Sequence, residues 1–282
     1  MPNHDPLAIY GLAYDPFVAQ LPVEHLWRPD GIDSLLLRLR LLMRTGGFAL
    51  ISGEPGMGKS KLLHLLADWL GEHDDLVVGV MERPQSTTGD FYREIGDIFG
   101  VSLSPANRYG GFKALRERFR RHIKTTLHRP VLLLDEAQEA CTATLTELRL
   151  LCSARFDSEL LLTVVMCGDD RLPERFRHRE LISLGSRMRV RHLLKPIEPP
   201  ALLDFLDHSL TSAGAPHLMS DGLRRALTEH CAGNLRVLAA MASEVLAYGA
   251  QHDLAVLDDD AFLKVFHSSL PSTLPRRKGA RR

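Results

Sequence analysis

The sequence predicts an α/β fold in which a parallel five-stranded sheet lies between helices, followed by a small C-terminal all-helical domain. Two observations support this prediction. Short apolar runs alternate with helical patterns as far as residue 194, which is the order that a parallel sheet with crossover helices requires. Strand signals then end at Pro196, and only helical patterns remain as far as about residue 266.

Five apolar runs are typical of strands that are buried on both faces. They are residues 48–51, 76–80, 131–134, 161–166 and 190–194. Apolar positions repeating every three or four residues predict helices at 32–43, 60–70, 90–99 and 112–127, with further helices over 199–266. The predicted domains are a lead-in with its helix (1–45), an α/β core (46–197), a helical domain (198–270) and a basic, disordered tail (271–282).

Composition indicates an ordinary globular protein. The 282 residues are 45% hydrophobic and 25% charged, which excludes wholesale disorder and fibrous architectures. Lys plus Arg and Asp plus Glu both number 35, so net charge points to no class of partner. The four cysteines form no C-x-x-C pair and have no zinc-ligand spacing, which favours a reducing compartment. Because no signal-peptide pattern or membrane-spanning apolar run is present, we expect a cytoplasmic protein without membrane contact.

A glycine-rich segment directly follows the first predicted strand and directly precedes a predicted helix. It matches G-x-x-x-x-G-K-[ST] in full, with residues Gly53, Glu54, Pro55, Gly56, Met57, Gly58, Lys59 and Ser60. Glycines let backbone N–H groups surround phosphate oxygens at a helix N-terminus, where the helix dipole favours anions. We expect Lys59 to reach the β- and γ-phosphates of ATP and the Ser60 hydroxyl to bind Mg²⁺. The alternative is a chance match, which the strand–loop–helix order disfavours.

A second acidic motif follows the third predicted strand. Asp135 and Glu136 come directly after the buried run 131–134, so Asp135 is expected beside the metal. Glu136 is then available to polarise the water that attacks the γ-phosphate. Two surface acids at a strand end are the alternative. Together with the phosphate loop, the motif predicts an enzyme that binds and hydrolyses ATP.

With these motifs the chain resembles the AAA+ ATPases, and more closely their ExeA-like subgroup, over about residues 7–250. Four further segments carry the resemblance: Y-G-L-A-Y-D-P-F at 10–17, M-C-G-D-D-R-L at 166–172, L-G-S-R-M-R at 184–189 and G-N-L-R at 233–236. In relatives the first lies near the adenine, and the others carry the fourth-strand sensor, the arginine finger and the lid sensor. The resemblance implies a P-loop AAA+ core with a helical lid.

Roles follow from this resemblance residue by residue. Asp169 is the expected polar sensor, although relatives carry Gln, Asn or Thr there; an Asp that caps the next helix is the alternative. Arg187 is the expected finger that reaches the ATP of a neighbouring subunit, with Arg189 as the rival, and either could instead be a surface arginine. Arg236 is expected to contact the γ-phosphate in its own subunit; an arginine on a helix surface is the alternative, which the preceding Gly-Asn disfavours.

Basic residues concentrate between positions 108 and 129. This stretch holds eight Lys and Arg residues against the single acid Glu117, on a helix whose other face is apolar. Such a patch is typical of a surface that binds the phosphates of duplex DNA, and a solvated face with ion pairs is the alternative. The candidate DNA-binding residues, including two in the loop after the second strand, are Arg83, Thr87, Lys113, Arg116, Arg118, Arg120 and Arg121. The tail at 276–282 is a further candidate for contact with nucleic acid or a protein partner. The alternatives are a plain connector for the loop and a disordered, solubilising end for the tail.

The resemblance suggests three functions. The first is a DNA-transposition helper, similar to the TnsC-, TniB- and IstB-like proteins. Such an ATPase assembles as a ring or helical filament on duplex DNA and recruits or regulates a transposase. The second is an ExeA-like secretion-pathway ATPase, which we expect less because no membrane segment follows the lid. The third is a replication-initiator or helicase-loader ATPase. The sequence shows no helix-turn-helix-like pattern beyond the lid, and specific recognition of duplex DNA would need such an element. A module that binds ATP without hydrolysing it is disfavoured by Glu136.

Overall fold

The computed structural model describes residues 5–82, 84, 87–102 and 108–266. The strands are β1 (Gly47–Gly53), β2 (Val78–Met81), β3 (Val131–Leu134), β4 (Ser153–Ala154), β5 (Glu159–Leu160), β6 (Thr163–Gly168) and β7 (Met188–Leu194). The helices are α1 (Pro6–Tyr10), α2 (Ile32–Thr45), α3 (Lys59–Gly71), α4 (Thr88–Ile98), α5 (Arg108–Thr126), α6 (Thr142–Cys152), α7 (Arg171–Arg175), α8 (Ile182–Gly185), α9 (Pro199–Ser212), α10 (Asp221–His230), α11 (Leu235–Gln251) and α12 (Asp259–Phe266). The chain divides into an α/β unit (28–196) and a helical unit (5–27 with 197–266).

A parallel sheet organises the α/β unit, as the sequence predicts. Its five strands run in the order β2-β3-β6-β1-β7, and every neighbouring pair is parallel. Alternate residues of each strand face opposite sides, so Ala49 and Ile51 pack with α2 and α3, whereas Phe48 and Leu50 belong to the core of the other face. That second core includes apolar residues of α4, α5 and α6. The sheet is therefore covered by helices on both faces.

The strands lie within a few residues of their predicted places. The second and fourth begin two residues later than predicted, at Val78 and Thr163. In the fourth case Leu161 is buried as the run suggested, but its N–H bonds to the carbonyl of Cys152, 2.8 Å away, in a hairpin that precedes β6. Burial alone therefore does not mark where a strand begins. Helix α6 and the hairpin of β4 and β5 were not predicted.

The helical unit surrounds its own apolar core. Helices α9–α12 contribute most of this core, and Leu12 and Phe17 from the N-terminal segment join it. Further contacts fix that segment: the Ala13 N–H donates to the carbonyl of Ala213 at 3.0 Å. The Trp27 indole N–H donates to Asp204 at 2.7 Å. Residues 5–27 thus pack with the helical unit, whereas the sequence pattern grouped 1–45 as one lead-in.

Candidate nucleotide-binding site

The glycine-rich segment forms a loop at the carboxyl end of β1. Gly56 and Gly58 have φ angles of 87° and 86°, a left-handed conformation that glycine adopts without a Cβ clash. Helix α3 begins directly after Gly58, and no side chain caps its N-terminus. The N–H groups of the first turn point out of this end of the helix, and together with the helix dipole they favour an anion there. The loop therefore has the backbone form that a phosphate site needs.

Lys59 lies inside this loop. Its ammonium donates to the backbone carbonyls of Gly53 at 2.8 Å and Glu54 at 2.9 Å, and the residue is only 9% exposed. The loop thus encloses the ammonium group of Lys59. Gly53 itself must be small, because an added Cβ would be 2.7 Å from the carbonyl oxygen of Leu194 on β7.

The structure brings Ser60 and Asp135 together from separate motifs. The Ser60 side chain hydrogen-bonds to the Asp135 carboxylate. The Glu136 N–H donates to the same carboxylate at 2.8 Å. Burial raises the pKa of Asp135, and the hydrogen bonds and the nearby Lys59 ammonium oppose this rise. A half-buried carboxylate beside a hydroxyl is an oxygen donor set that suits Mg²⁺.

Glu136 is oriented by a residue to which the sequence assigned no role. The Gln138 amide donates to the Glu136 carboxylate and accepts the Asp169 N–H at 3.2 Å. Gln138 therefore links the acidic motif after β3 to the end of β6. A Cβ on Gly168 would lie 2.5 Å from the Gln138 side-chain oxygen, so a glycine at that position leaves room for this link. Glu136 also has a positive φ of 46°, which is uncommon for a non-glycine residue.

Asp169 lies at this end of the sheet, and its carboxylate already has partners. It accepts the Arg171 N–H at 3.0 Å, at the start of α7, and it pairs with the Arg171 guanidinium at 2.6 Å. This contact supports the capping alternative. The sensor role of Asp169 stays a prediction.

The two candidate finger arginines lie at the opposite edge of the sheet. Met188 at the start of β7 pairs with Phe48, whereas Leu194 at its end pairs with Gly53. At about 3.3 Å per residue, Arg187 is therefore roughly 20 Å along the strands from the phosphate loop of its own chain. Its guanidinium pairs with Asp157 at 2.6 Å. Arg189 instead donates to the Thr45 hydroxyl at 3.0 Å.

Arg236 lies in the helical unit, exposed in the first turn of α11. The Asn234 side chain caps this helix by accepting the N–H groups of Arg236 at 3.0 Å and Val237 at 3.2 Å. The preceding Gly233 has a φ of 80°. The G-N-L-R segment is therefore a helix start, and the contact of Arg236 with the γ-phosphate stays a prediction.

The basic residues of α5 divide into two groups. Leu115, Phe119 and His122 form its buried face. Four exposed cations share the opposite face, and the exposed acid Glu117 lies between them. We call these four cations the α5 basic face; they are Lys113, Arg120, Arg121 and Lys124.

Two predicted DNA contacts of α5 lie outside this set. Arg116 donates to the carbonyl of Leu150 at 3.1 Å and covers the Phe112 ring at 5.0 Å. Burial lowers its pKa. Arg118 is half-buried. Arg116 thus has a structural role that ties α5 to α6.

The loop candidates after β2 are placed only in part. The Thr87 hydroxyl caps α4 by accepting the Asp90 N–H at 3.1 Å. Arg83 and the tail at 276–282 lie outside the described residues. The structure thus places Thr87 in a capping role.

Comparison with known proteins gives the same architecture. Residues 42–176 match the family model of the AAA domain. The same fold occurs in Cdc6p of Pyrobaculum aerophilum, at 14% identity, a TM-score of 0.66, and coverage of 87% of this chain and 68% of that one. Domain III of the replication initiation protein DnaA from Thermotoga maritima matches at 19% identity and a TM-score of 0.57, over 91% of this chain and 98% of that one.

Two further proteins are similar to this chain. General secretion pathway protein A of Aeromonas hydrophila is 27% identical over 256 residues, which are 85% of this chain but only 46% of that protein. The ORC1 protein of Aeropyrum pernix, in a structure with DNA, matches at 15% identity and a TM-score of 0.65, over 90% of this chain and 68% of that one. Among the described residues, no helix has both the length and the apolar character to cross a membrane.

Proposed function

We propose that this chain is a Mg²⁺-dependent ATPase. The observation that supports the proposal most strongly is the convergence of Lys59, Ser60, Asp135 and Glu136 at one edge of the sheet. A loop of N–H groups and an ammonium offers the phosphates a cationic surface, and two oxygen donors lie beside it. Together these four residues supply the groups that bind a nucleoside triphosphate and its metal ion.

Each residue has a distinct task in hydrolysis. Lys59 exchanges its carbonyl partners for phosphate oxygens and stabilises the charge that develops on them. Ser60 and Asp135 would hold Mg²⁺, which supplies further charge neutralisation at the phosphates. Glu136 accepts a proton from the water whose oxygen attacks the γ-phosphorus, while the bond to the β-phosphate oxygen breaks and ADP leaves. Gln138 holds the Glu136 carboxylate in orientation.

Two substitutions test this assignment. Lys59→Ala should abolish ATP binding, because it removes the cation within the loop. Glu136→Gln should bind ATP with unchanged affinity but hydrolyse it at least about a hundredfold more slowly, which is the usual contribution of a general base. Nucleotide titration and phosphate release measure the two effects. Normal hydrolysis by Glu136→Gln would mean that another group is the base.

We further propose that the ATP-bound form self-associates, so that Arg187 of one copy completes the site of the next. The position of Arg187 supports this, since it lies at the edge of the sheet away from its own phosphate loop. Such a contact joins different faces of neighbouring copies and generates a ring or a helical filament.

The α5 basic face is the proposed surface for duplex DNA. Its four exposed cations can neutralise phosphates without reading sequence, which gives a steep dependence of affinity on salt. The test replaces Lys113, Arg120, Arg121 and Lys124 by Gln. The slope of log affinity against log salt should fall by about three to four, near 0.9 for each lost phosphate contact.

A control with equal charge change keeps this test specific. Replacing Arg177, Arg179, Lys195 and Arg225 by Gln also removes four exposed cations and should leave the slope nearly unchanged. Equal losses in both variants would mean that binding depends only on net charge. An unchanged slope in the α5 variant would remove this face from the proposal.

For the partner, we propose a transposase that binds the ATP-bound assembly on DNA. The support is the resemblance to transposition helper ATPases together with a site and a basic face suited to assembly on DNA. The expected result is that a transposase encoded beside this chain co-sediments with it on duplex DNA in ATP but not in ADP. Equal co-sedimentation in both nucleotides would contradict the proposal.

The second candidate is a secretion-pathway ATPase. The observation that favours it is the 27% identity with general secretion pathway protein A of Aeromonas hydrophila. The DNA experiment separates the two, because a secretion ATPase has no need of the α5 basic face. Absence of ATP-dependent duplex binding would favour this second candidate.

A further inference from the structure

The hairpin of β4 and β5 ends in an unusual turn. Its three consecutive residues Arg155, Phe156 and Asp157 have φ angles of 48°, 56° and 66°, a left-handed conformation that non-glycine residues rarely adopt. The turn is closed by the Ser158 N–H, which donates to the Arg155 carbonyl at 3.1 Å. Runs of such residues persist where the surroundings maintain them, and they concentrate at functional sites.

Phe156 at the centre of this turn is fully exposed to solvent. A left-handed turn position suits Gly, Asn or Asp far better than Phe. No residue in the described part of the chain covers the ring, whereas burying an aromatic ring is one of the largest gains available at an interface. The fold therefore supplies no reason for Phe at this position, and a contact with a partner would supply one.

Asp157 joins the turn to the candidate finger. Its carboxylate accepts from the Arg187 guanidinium at 2.6 Å. Hydrogen bonds from the side chains of Ser153 and then Arg187 lower the pKa of Asp157, so it is ionised at neutral pH. Arg187 also donates to the carbonyl of Ser183. The guanidinium is thus fixed beside the turn from two sides.

We propose that the turn of residues 155–157, with Arg187, is the surface on which a second copy of this chain docks. Phe156 is the apolar anchor of that contact, and Asp157 is the positioning residue that presents Arg187 to the nucleotide of the second copy. This inference rests on the proposed function, since it needs ATP-dependent self-association. A nucleic acid is a poor occupant, because the hairpin 153–160 together with Arg187 carries two acids and two bases and so has no net positive charge.

The first experiment measures self-association by sedimentation velocity, with Mg²⁺ and a slowly hydrolysed ATP analogue over a series of protein concentrations. Phe156→Ser should raise the concentration for half-assembly by at least about tenfold, the effect of truncating an interface anchor. The matched control is Leu127→Ser, because Leu127 also has a left-handed φ of 63° and is 75% exposed. The control should assemble like the unmodified chain.

The second experiment tests Asp157 by kinetics at protein concentrations where assembly is complete. Asp157→Asn should lower kcat about tenfold and leave the KM for ATP unchanged, because the site itself is intact and only the arriving Arg187 is misplaced. Asp157→Glu keeps the charge and should restore most of the rate. A purely structural role would change stability instead and would not distinguish Asn from Glu in kcat.

The possible results distinguish the proposed docking surface from the proposed ATP-dependent self-association on which it depends. If the unmodified chain never self-associates with the ATP analogue, the proposed function fails. If it does so and Phe156→Ser assembles equally well, or if both serine variants lose assembly alike, only the docking surface fails. If Phe156→Ser assembles normally but loses affinity for duplex DNA, the turn contacts nucleic acid and the inference is overturned.

Discussion

Gly53→Ala is the substitution that connects the packing of the sheet to the chemistry of the loop. Gly53 ends β1 beside Leu194, the last residue of β7, and its carbonyl holds the Lys59 ammonium. A Cβ at this position would lie 2.7 Å from the Leu194 carbonyl oxygen and 2.9 Å from its Cβ. Both are atoms that cannot rotate away, so the two strands have to separate.

The magnitude follows from that overlap. Forcing a methyl group into a packed region typically costs about 1–3 kcal/mol. The same shift moves the carbonyl that positions Lys59, so we expect the Kd for ATP to rise about tenfold, equivalent to about 1.4 kcal/mol. Gly71→Ala provides the opposite case. Among the described residues, no atom lies within 4 Å of its added Cβ at the end of α3, so a gain of roughly 0.5 kcal/mol is expected.

The assay is urea unfolding followed by the fluorescence of Trp69 on α3, in a Trp27→Phe background that removes the tryptophan of the helical unit. Gly53→Ala should lower the midpoint by about 1 M urea, and Gly71→Ala should raise it slightly. Titration with a fluorescent ATP analogue measures affinity. If Gly53→Ala keeps both its midpoint and its affinity, the reasoning from the Leu194 contact is wrong.

Three further predictions concern single side chains. Gln138→Ala should lower kcat about tenfold with little change in the KM for ATP, because the Glu136 carboxylate loses the amide that orients it; unchanged steady-state kcat would refute this. Ser60→Ala should weaken ATP binding in Mg²⁺ but not in EDTA, and equal titration curves in both would contradict the metal role. Burial, and then the charge of Arg118, lowers the pKa of His122 below its usual 6.5, and Asp75 opposes this shift. Because the unfolded chain then takes up the proton at a higher pH than the folded chain, the free energy of unfolding should fall as the pH drops below about 6.5. Urea unfolding at several pH values measures this dependence, and His122→Gln should make it flatter.

The sequence predicts the sheet and the glycine-rich loop that follows its first strand well, because both are local signals. A run such as 131–134 is buried at every position, and the motif from Gly53 to Ser60 is a single segment of consecutive residues. These features need no knowledge of distant residues. The predicted bounds therefore differ from the observed ones by only a few residues.

What the sequence could not predict depends on contacts between distant segments. Strands β4 and β5 have two residues each, too few for an alternating pattern to emerge. Gln138 acquires its role only when β3 and β6 become neighbours. From the sequence alone, Arg116 cannot be distinguished from the other cations of α5. Its role depends on the carbonyl of Leu150 on α6, to which it donates a hydrogen bond in the folded chain.

The most direct measurement mixes two inactive variants. Arg187→Ala keeps Glu136 but lacks the finger arginine, and Glu136→Gln keeps the arginine but lacks the base. Each variant alone therefore lacks one of the two residues at every interface. If neighbouring copies complete each other's sites, a 1:1 mixture regains ATP hydrolysis, with about a quarter of the interfaces pairing both intact residues. Full activity of Arg187→Ala alone, or no recovery in a mixture that still assembles, would show that one copy does not act on the nucleotide of the next.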